Sequence, residues 1–174
     1  ETPYTYGLAV LSEAEDGTAK LSFQRREKDG TVREFLQNVF ESENKDWGKM
    51  GENPTGMILL NSGEYTKSPA YMILNKSGDK ALTLLDITTM AMIKGFPQSE
   101  IPNCPTPFSP SQIMSTSDKT LILANGRVIT YNMFDCGVFN SPSNWKYDIN
   151  WIDIGGAFNS YVIPGFDNKS KQFV

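Results

Sequence analysis

Histidine is absent from this chain of 174 residues. Without an imidazole, the usual Ser-His-Asp and Cys-His nucleophilic arrangements are excluded, and so are most zinc and non-haem iron sites. The sequence also contains neither a phosphate-binding P-loop nor a GxGxxG dinucleotide-binding motif. We therefore expect a protein that is not an enzyme, with no catalytic residues, no bound metal and no cofactor.

An excess of positive charge is also lacking. The chain has 16 Lys and Arg residues against 20 Asp and Glu residues, which gives a net charge of −4. Binding to nucleic acid requires a basic surface, so we expect no nucleic-acid partner. No apolar run approaches the roughly 20 residues that a transmembrane helix needs, so we expect no membrane span in this chain.

Cysteine is scarce, with only Cys104 and Cys136, both in loop-like surroundings. One interpretation is a disulfide, which in an oxidising compartment would contribute roughly 3–4 kcal/mol for a loop of this size. The other is two separate buried thiols. Neither cysteine is expected to act as a nucleophile, because no histidine is present to activate it.

The clearest pattern that is present is TLILANGRVITYN, residues 120–132. Its central Asn-Gly pair is typical of a type I′ turn, which requires positive φ at both central positions. The turn would pair Leu123 with Val128 on one face of a hairpin, and Ile122 with Ile129 on the other. Since neither face is polar, we expect other parts of the protein to cover both faces of this hairpin.

Three segments of the chain resemble one another: residues 71–96, 120–139 and 161–174. Each begins with an apolar strand, turns at Gly or Asn, and resumes with a second strand. Their starts lie 49 and 41 residues apart, close to the roughly 40–50 residues of one propeller blade. The pattern predicts an all-β protein of antiparallel β-meanders, forming several blades of a β-propeller-like domain, with a β-sandwich as the alternative. We expect residues 1–174 to form a single β-repeat domain within a larger propeller-like region.

The apolar residues of segment 32–40 have a helical period instead. Its apolar residues recur at the spacing of a helix stripe, and Thr31 lies where an N-cap would lie. The stripe consists of Val32, Phe35, Leu36, Val39 and Phe40. It predicts a short helix, although its β-branched and aromatic residues favour a strand.

The stretch YGLAVLSEAEDGTAKLSF, at residues 6–23, resembles a junction segment of PKD-like-domain surface lipoproteins from Gram-negative gut bacteria. The matching residues are Gly7, Val10, Leu11, Glu13, Asp16, Gly17, Leu21, Ser22 and Phe23. Leu8 stands where the family has Trp. Further matches are Gly48, Gly51, Asn53, Pro54 and Gly56.

The resemblance covers about the first 60 residues. It implies a β-propeller-like region of an exported, lipid-anchored protein of uncharacterised function, often placed beside polysaccharide-uptake systems. It implies no catalytic residues. Since the family's immunoglobulin-type domains and lipidated cysteine are not in this sequence, we expect the chain to be part of a longer protein at the periplasmic or outer-membrane surface.

The most aromatic loop carries the candidate ligand-binding residues Trp145, Tyr147, Asp148, Trp151 and Asp153. Aromatic rings stack on sugar faces, and nearby carboxylates bind hydroxyl groups. The same carboxylates as a catalytic pair would hydrolyse a glycoside. A third interpretation is that Asp caps turns and Trp packs where sheets meet.

These observations predict a non-enzymatic, exported binding module of a cell-surface lipoprotein. Its expected partners are a polysaccharide or an outer-membrane protein. The alternatives are a carboxylate-dependent glycoside-processing enzyme and a purely structural scaffold of a surface assembly.

Overall fold

The computed structural model describes residues 4–60, 69–101, 106–115, 119–132, 138–143, 146–153 and 164–174. Within these ranges the chain forms fourteen β-strands and one short α-helix, and the strands make four antiparallel sheets. None of the helical segments in these ranges is long and apolar enough to cross a membrane. The prediction of an all-β protein is confirmed.

Each sheet is built from strands that follow one another along the chain. The first sheet contains β1 (Gly7–Glu13), β2 (Ala19–Arg26) and β3 (Val32–Leu36). The second contains β4 (Glu52–Leu60), β5 (Ala70–Ser77), β6 (Leu82–Asp86) and β7 (Met92–Phe96). The third contains β8 (Pro110–Ser115), β9 (Lys119–Ala124), β10 (Arg127–Asn132) and β11 (Val138–Ser143). The fourth contains β12 (Ile149–Ile152), β13 (Gly165–Asp167) and β14 (Gln172–Phe173).

The sheets pack face to face in the order of the chain, with a hydrophobic cluster between each pair of neighbours. Between the first and second sheets, Leu21 and Phe23 of β2 lie in one cluster with Ile73 of β5. Between the second and third sheets, residues of β5 and β6 lie in one cluster with residues of β9 and β10. That cluster includes Met72, Leu74, Leu82, Leu84, Ile122 and Ile129. The second sheet is therefore buried on both faces, because successive residues of β5 point to opposite sides.

The third sheet is buried in the same way, as its central hairpin shows. Leu123 pairs with Val128, and Ile122 pairs with Ile129, in the predicted register. Leu123 is 1% exposed and packs toward the fourth sheet, whereas Ile122 is fully buried and packs toward the second. The turn has φ of 51° at Asn125 and 75° at Gly126, as a type I′ turn requires. Both faces of the hairpin are covered, which confirms the prediction.

The repeated segments correspond to successive sheets. Residues 71–96 contain most of β5 and all of β6 and β7, and residues 120–139 contain most of β9, all of β10 and the start of β11. The described part of the third segment contains β13 and β14. Each repeat therefore begins near the start of the second strand of a sheet.

The prediction of a helix from Val32 onward is wrong for most of its length. Val32–Leu36 is strand β3, which pairs with β2, and the short helix α1 spans only Val39–Glu43. Asn38, at φ of 52°, separates the two elements. Thr31 is not a helix N-cap, since its main-chain N–H donates to Asp29 Oδ1 at 2.9 Å in the β2–β3 turn. Strand pairing with β2 and the preference of β-branched and aromatic residues for strands outweigh the helical spacing.

Helix α1 is fastened to the second sheet by Asn44, a buried side chain just after its end. The Asn44 side-chain N–H group donates to the main-chain oxygens of Phe40 at 3.0 Å and Met90 at 2.8 Å. Its side-chain oxygen accepts from the main-chain N–H of Met92 at 2.6 Å. All of its hydrogen-bonding groups are thus engaged with partners, as burial of an amide requires.

Candidate functional site

The fourth sheet carries an irregularity in β12 that determines which side chains face outward. Ile149 pairs with Asp167 and Trp151 pairs with Phe166, with a shift in register between the two pairs. In a regular strand, Trp151 would share the buried face of Ile149. The bulge instead leaves Asn150 and Trp151 both exposed, while Ile149 and Ile152 are both buried.

Three aromatic residues lie side by side on neighbouring strands of this sheet. Trp151 pairs with Phe166, and Phe166 pairs with Phe173. The ring centroids of Trp151 and Phe173 are 6.4 Å apart, and those of Phe166 and Phe173 are 5.5 Å apart. In both pairs the ring planes meet at 77°. The Phe173 ring therefore stands nearly at right angles to each of the other two rings.

Together with Asn150, these rings line a surface cavity of about 370 Å³. We call the four residues Asn150, Trp151, Phe166 and Phe173 the aromatic corner. Trp151 is 42% exposed and Phe173 is 71% exposed. Burying an aromatic side chain of this size would stabilise the protein by about 1.5–3 kcal/mol, so this exposure forgoes stability. An exposed apolar cluster on a sheet face is a place where another surface packs, whether a ligand, a partner or a further sheet.

Strand β12 is held against the third sheet by Gln112 of β8. The Gln112 side-chain N–H group donates to the main-chain oxygen of Ile152 at 2.8 Å. Its side-chain oxygen accepts from the main-chain N–H of Ile152 at 3.2 Å. The amide thus bonds β12 as a neighbouring strand would, and it fixes the residue that follows Trp151.

The sequence-predicted site residues do not all lie in the corner. Trp151 lines it, but Tyr147 packs against the inner cluster that contains Leu121 and Ile149. Asp153 is half-buried, and its main-chain N–H donates to the Pro164 oxygen at 3.1 Å. Trp145 lies outside the described residues, as do Cys104 and Cys136, whose predicted pairing stays a prediction.

Asp148 faces the turn of the β9–β10 hairpin. Its Oδ1 lies 2.2 Å from the point where a Cβ on Gly126 would lie. The main-chain N–H of the next residue, Ile149, donates to the Gly126 oxygen at 2.8 Å. Asp148 is therefore placed against the third sheet, whereas Trp151 is on the exposed face of the fourth.

The buried carboxylate of Asp167 organises the turn between β13 and β14. Its oxygens accept from the main-chain N–H groups of Asp148 at 2.7 Å, Lys169 at 3.3 Å and Ser170 at 2.9 Å. The hydrogen bond from the Ser170 side chain, followed by that from the Asp148 main chain, holds the pKa of Asp167 well below its usual range. Asp167 thus joins the segment before β12 to the turn that positions Phe173.

Sequence reasoning missed Phe166, Phe173 and Gln112. The stretch GFDNKSKQF has a phenylalanine on each side of a polar turn, which is the available signal for a cross-strand aromatic pair. The pairing of this hairpin with β12 is a long-range contact that no local pattern indicates.

Neither the scan against protein-family models nor the search of curated proteins found a match to this chain. Among the described residues, no group of three or more Cys, Asp or Glu side chains is placed to hold a metal ion. The candidate function therefore rests on the geometry of the aromatic corner.

Proposed function

We propose that this chain is a non-enzymatic binding module of an exported, lipid-anchored cell-surface protein, and that it binds a glycan at the aromatic corner. The observation that carries the proposal is the bulge in β12, which turns Trp151 outward beside Asn150. A sugar offers both apolar C–H faces and hydroxyl groups. The exposed rings of the corner suit the C–H faces of the sugar. The Asn150 amide, which is both a donor and an acceptor, suits its hydroxyl groups.

The proposed export and lipid anchor are supported by the resemblance of residues 6–23 to PKD-like-domain surface lipoproteins. Incorporation of a labelled fatty acid into the full-length protein in its own host tests this part of the proposal. A full-length protein that stays unlabelled and in the cytoplasm would contradict it.

We also propose that the four sheets are blades of a β-propeller-like domain. The first strands β1, β4 and β8 contact one another in turn, as expected for blades whose first strands surround a common axis. The approach of β4 to β8 is close, since a Cβ on Gly56 would lie 3.2 Å from Ile113 Cγ2. Face-to-face packing in chain order also supports this arrangement.

The placement of the carboxylates favours binding over glycoside hydrolysis. A hydrolytic pair must flank one glycosidic bond from the same cleft. Asp148 lies against Gly126, and Asp153 is half-buried just after β12, with its main-chain N–H donating to the Pro164 oxygen at 3.1 Å. Neither carboxylate lines the cavity beside Trp151.

The binding proposal is tested by titrating the protein with a panel of soluble plant and host polysaccharides. We expect at least one to bind, and Trp151→Ala to weaken that binding by about tenfold or more, because aromatic anchors dominate such interfaces. Trp47→Ala is a matched control, since Trp47 is 49% exposed and lies outside the corner.

Two results would count against the proposal. One is the absence of binding to every polysaccharide in the panel. The other is an equal loss of binding in Trp151→Ala and Trp47→Ala. Capture of an outer-membrane protein without any glycan binding would favour a protein partner instead.

A further inference from the structure

We infer that Asn125 is a deamidation site that the folded hairpin keeps unreactive and that reacts once the β9–β10 turn opens. Asn125-Gly126 is the single Asn-Gly pair in the sequence. Deamidation is fastest in this dipeptide, because glycine has no side chain to hinder the approach of its nitrogen. The inference goes beyond the proposed function and does not depend on glycan binding.

The reaction joins a main-chain atom to the side chain that precedes it. The main-chain nitrogen of Gly126 attacks Cγ of Asn125, so that a C–N bond forms and the bond from Cγ to the amide nitrogen breaks. Ammonia leaves, and the proton that it takes up balances the one that Gly126 loses to solvent. Water then opens the five-membered succinimide to give Asp or isoAsp. Ring closure therefore requires the Gly126 nitrogen to lie beside Cγ.

The type I′ turn holds these two atoms apart. Asn125 has φ of 51°, in the left-handed region. In a type I′ turn, the nitrogen that follows this residue lies on the opposite side of its Cα–C bond from its own side chain. Bringing the Gly126 nitrogen beside Cγ requires a large rotation about that bond. The turn must therefore open before the ring closes.

Hydrogen bonds from two different segments oppose this rotation. Asn125 Oδ1 accepts from the main-chain N–H of Ser109 at 2.8 Å, and its Nδ2 donates to the Pro107 oxygen at 3.0 Å. The Gly126 oxygen accepts from the main-chain N–H of Ile149 at 2.8 Å. The segment before β8 thus holds the side chain, while the first residue of β12 holds the peptide. Rotating the bond between them breaks one set of hydrogen bonds or the other.

Reaction would prevent the turn from closing again as it was. Asp in place of Asn125 loses the Nδ2 donor and places a carboxylate oxygen against the Pro107 oxygen. IsoAsp adds a carbon atom to the main chain inside a two-residue turn, whose flanking residues Ala124 and Arg127 pair with each other. An opening that leads to deamidation therefore leaves a covalent change that destabilises the hairpin.

The test compares deamidation of Asn125 in the native chain and in the same chain unfolded by guanidinium chloride, both at mildly alkaline pH. Peptide mapping by mass spectrometry follows the replacement of the amide NH₂ group by OH. We expect the reaction in the native chain to be slower by more than about tenfold, because it must wait for the turn to open. A smaller difference between the two rates would overturn the inference.

A pair of variants tests the consequence of the reaction. Asn125→Asp copies one product, and we expect it to lower the midpoint of thermal unfolding. Asn38→Asp is the matched control, because Asn38 is also exposed and has φ of 52°, but its side chain makes no capping hydrogen bond. It should not lower the midpoint. A midpoint for Asn125→Asp equal to that of the unchanged chain would show that the bond to Pro107 does not hold the turn, and would overturn the inferred destabilisation.

Discussion

Gln112 and Ile152 are joined by two hydrogen bonds that tie the third sheet to the fourth. The Gln112 side-chain amide donates to the Ile152 main-chain oxygen at 2.8 Å and accepts from the Ile152 main-chain N–H at 3.2 Å. A side chain of β8 thus takes the place of a paired strand beside β12. Because Ile152 directly follows Trp151, this clamp also holds the aromatic corner in position.

Replacing Gln112 by Glu should destabilise the protein. The substitution keeps the size of the side chain but turns its N–H donor into a carboxylate oxygen that faces the Ile152 carbonyl. We expect the free energy of unfolding to fall by about 1–3 kcal/mol, measured by urea denaturation. Gln37→Glu is the control, because Gln37 is exposed and lies outside the strands, and it should change stability by less than about 0.5 kcal/mol. Equal effects of the two substitutions would show that the clamp contributes nothing.

Gly126 is required for two separable reasons, its backbone conformation and the proximity of Asp148. Its φ is 75°, and a Cβ there would lie 2.2 Å from Asp148 Oδ1. Gly30 has φ of 89° with no atom near its potential Cβ, so Gly30→Ala measures the backbone cost alone, about 1 kcal/mol. We expect Gly126→Ala to cost about 1–2 kcal/mol more than Gly30→Ala in urea denaturation.

A second substitution isolates the contact with Asp148. In the Gly126→Ala background, Asp148→Ala removes the carboxylate that the new Cβ would meet. We expect it to recover most of the additional loss. If Gly126→Ala and Gly30→Ala cost the same, the carboxylate is not held against the turn as the structure describes.

Asp167 should make stability depend on pH in the acidic range. Its pKa in the folded protein is lowered, so the native state favours the carboxylate more than the unfolded state does. The resulting stability is present above the unfolded pKa of about 3.9 and is lost as the pH falls toward the folded value. Asp167→Asn should therefore lower the thermal midpoint of unfolding at neutral pH. The gap between the thermal midpoints of this variant and of the unchanged protein should narrow below about pH 4.

The cause of the lowered pKa is tested separately. Ser170→Ala removes the hydroxyl group that donates to Asp167 and should weaken the acid dependence without abolishing it, because the main-chain donors remain. Thermal unfolding followed by circular dichroism from pH 2 to pH 7 measures both variants. If the thermal midpoints of Asp167→Asn and of the unchanged protein differ by the same amount at every pH in this range, the Asp167 carboxylate does not cause the acid dependence of stability.

The sequence predicted the strands best where local chemistry is decisive. An Asn-Gly pair between two apolar runs leaves few alternatives to a type I′ hairpin, and the observed register at Leu123 and Val128 is the predicted one. The apolar residues on both sides of that hairpin indicated coverage on both faces. The segment at Val32–Leu36 failed because a helical spacing over nine residues does not outweigh pairing with a neighbouring strand.

The site was predictable only in part. Trp151 stood out as a tryptophan in the most aromatic predicted loop, but it lies in strand β12. The bulge that turns it outward depends on pairing with Phe166, which comes from a strand farther along the chain. Tyr147 has the same local character as Trp151 and packs inward instead. Sequence spacing does not distinguish the two, because the face of each side chain is set by the register of the fourth sheet.

The sheets cover one another, so that the β9–β10 hairpin is buried on both faces. Ile122 and Leu123 are neighbours in sequence that pack into different clusters, one on each side of the third sheet. Urea denaturation of Ile122→Ala and Leu123→Ala measures both faces directly. We predict that each substitution lowers the free energy of unfolding by about 2–5 kcal/mol, as for fully buried side chains. A loss below about 0.5 kcal/mol for either one would place that face against solvent and contradict the stacked arrangement.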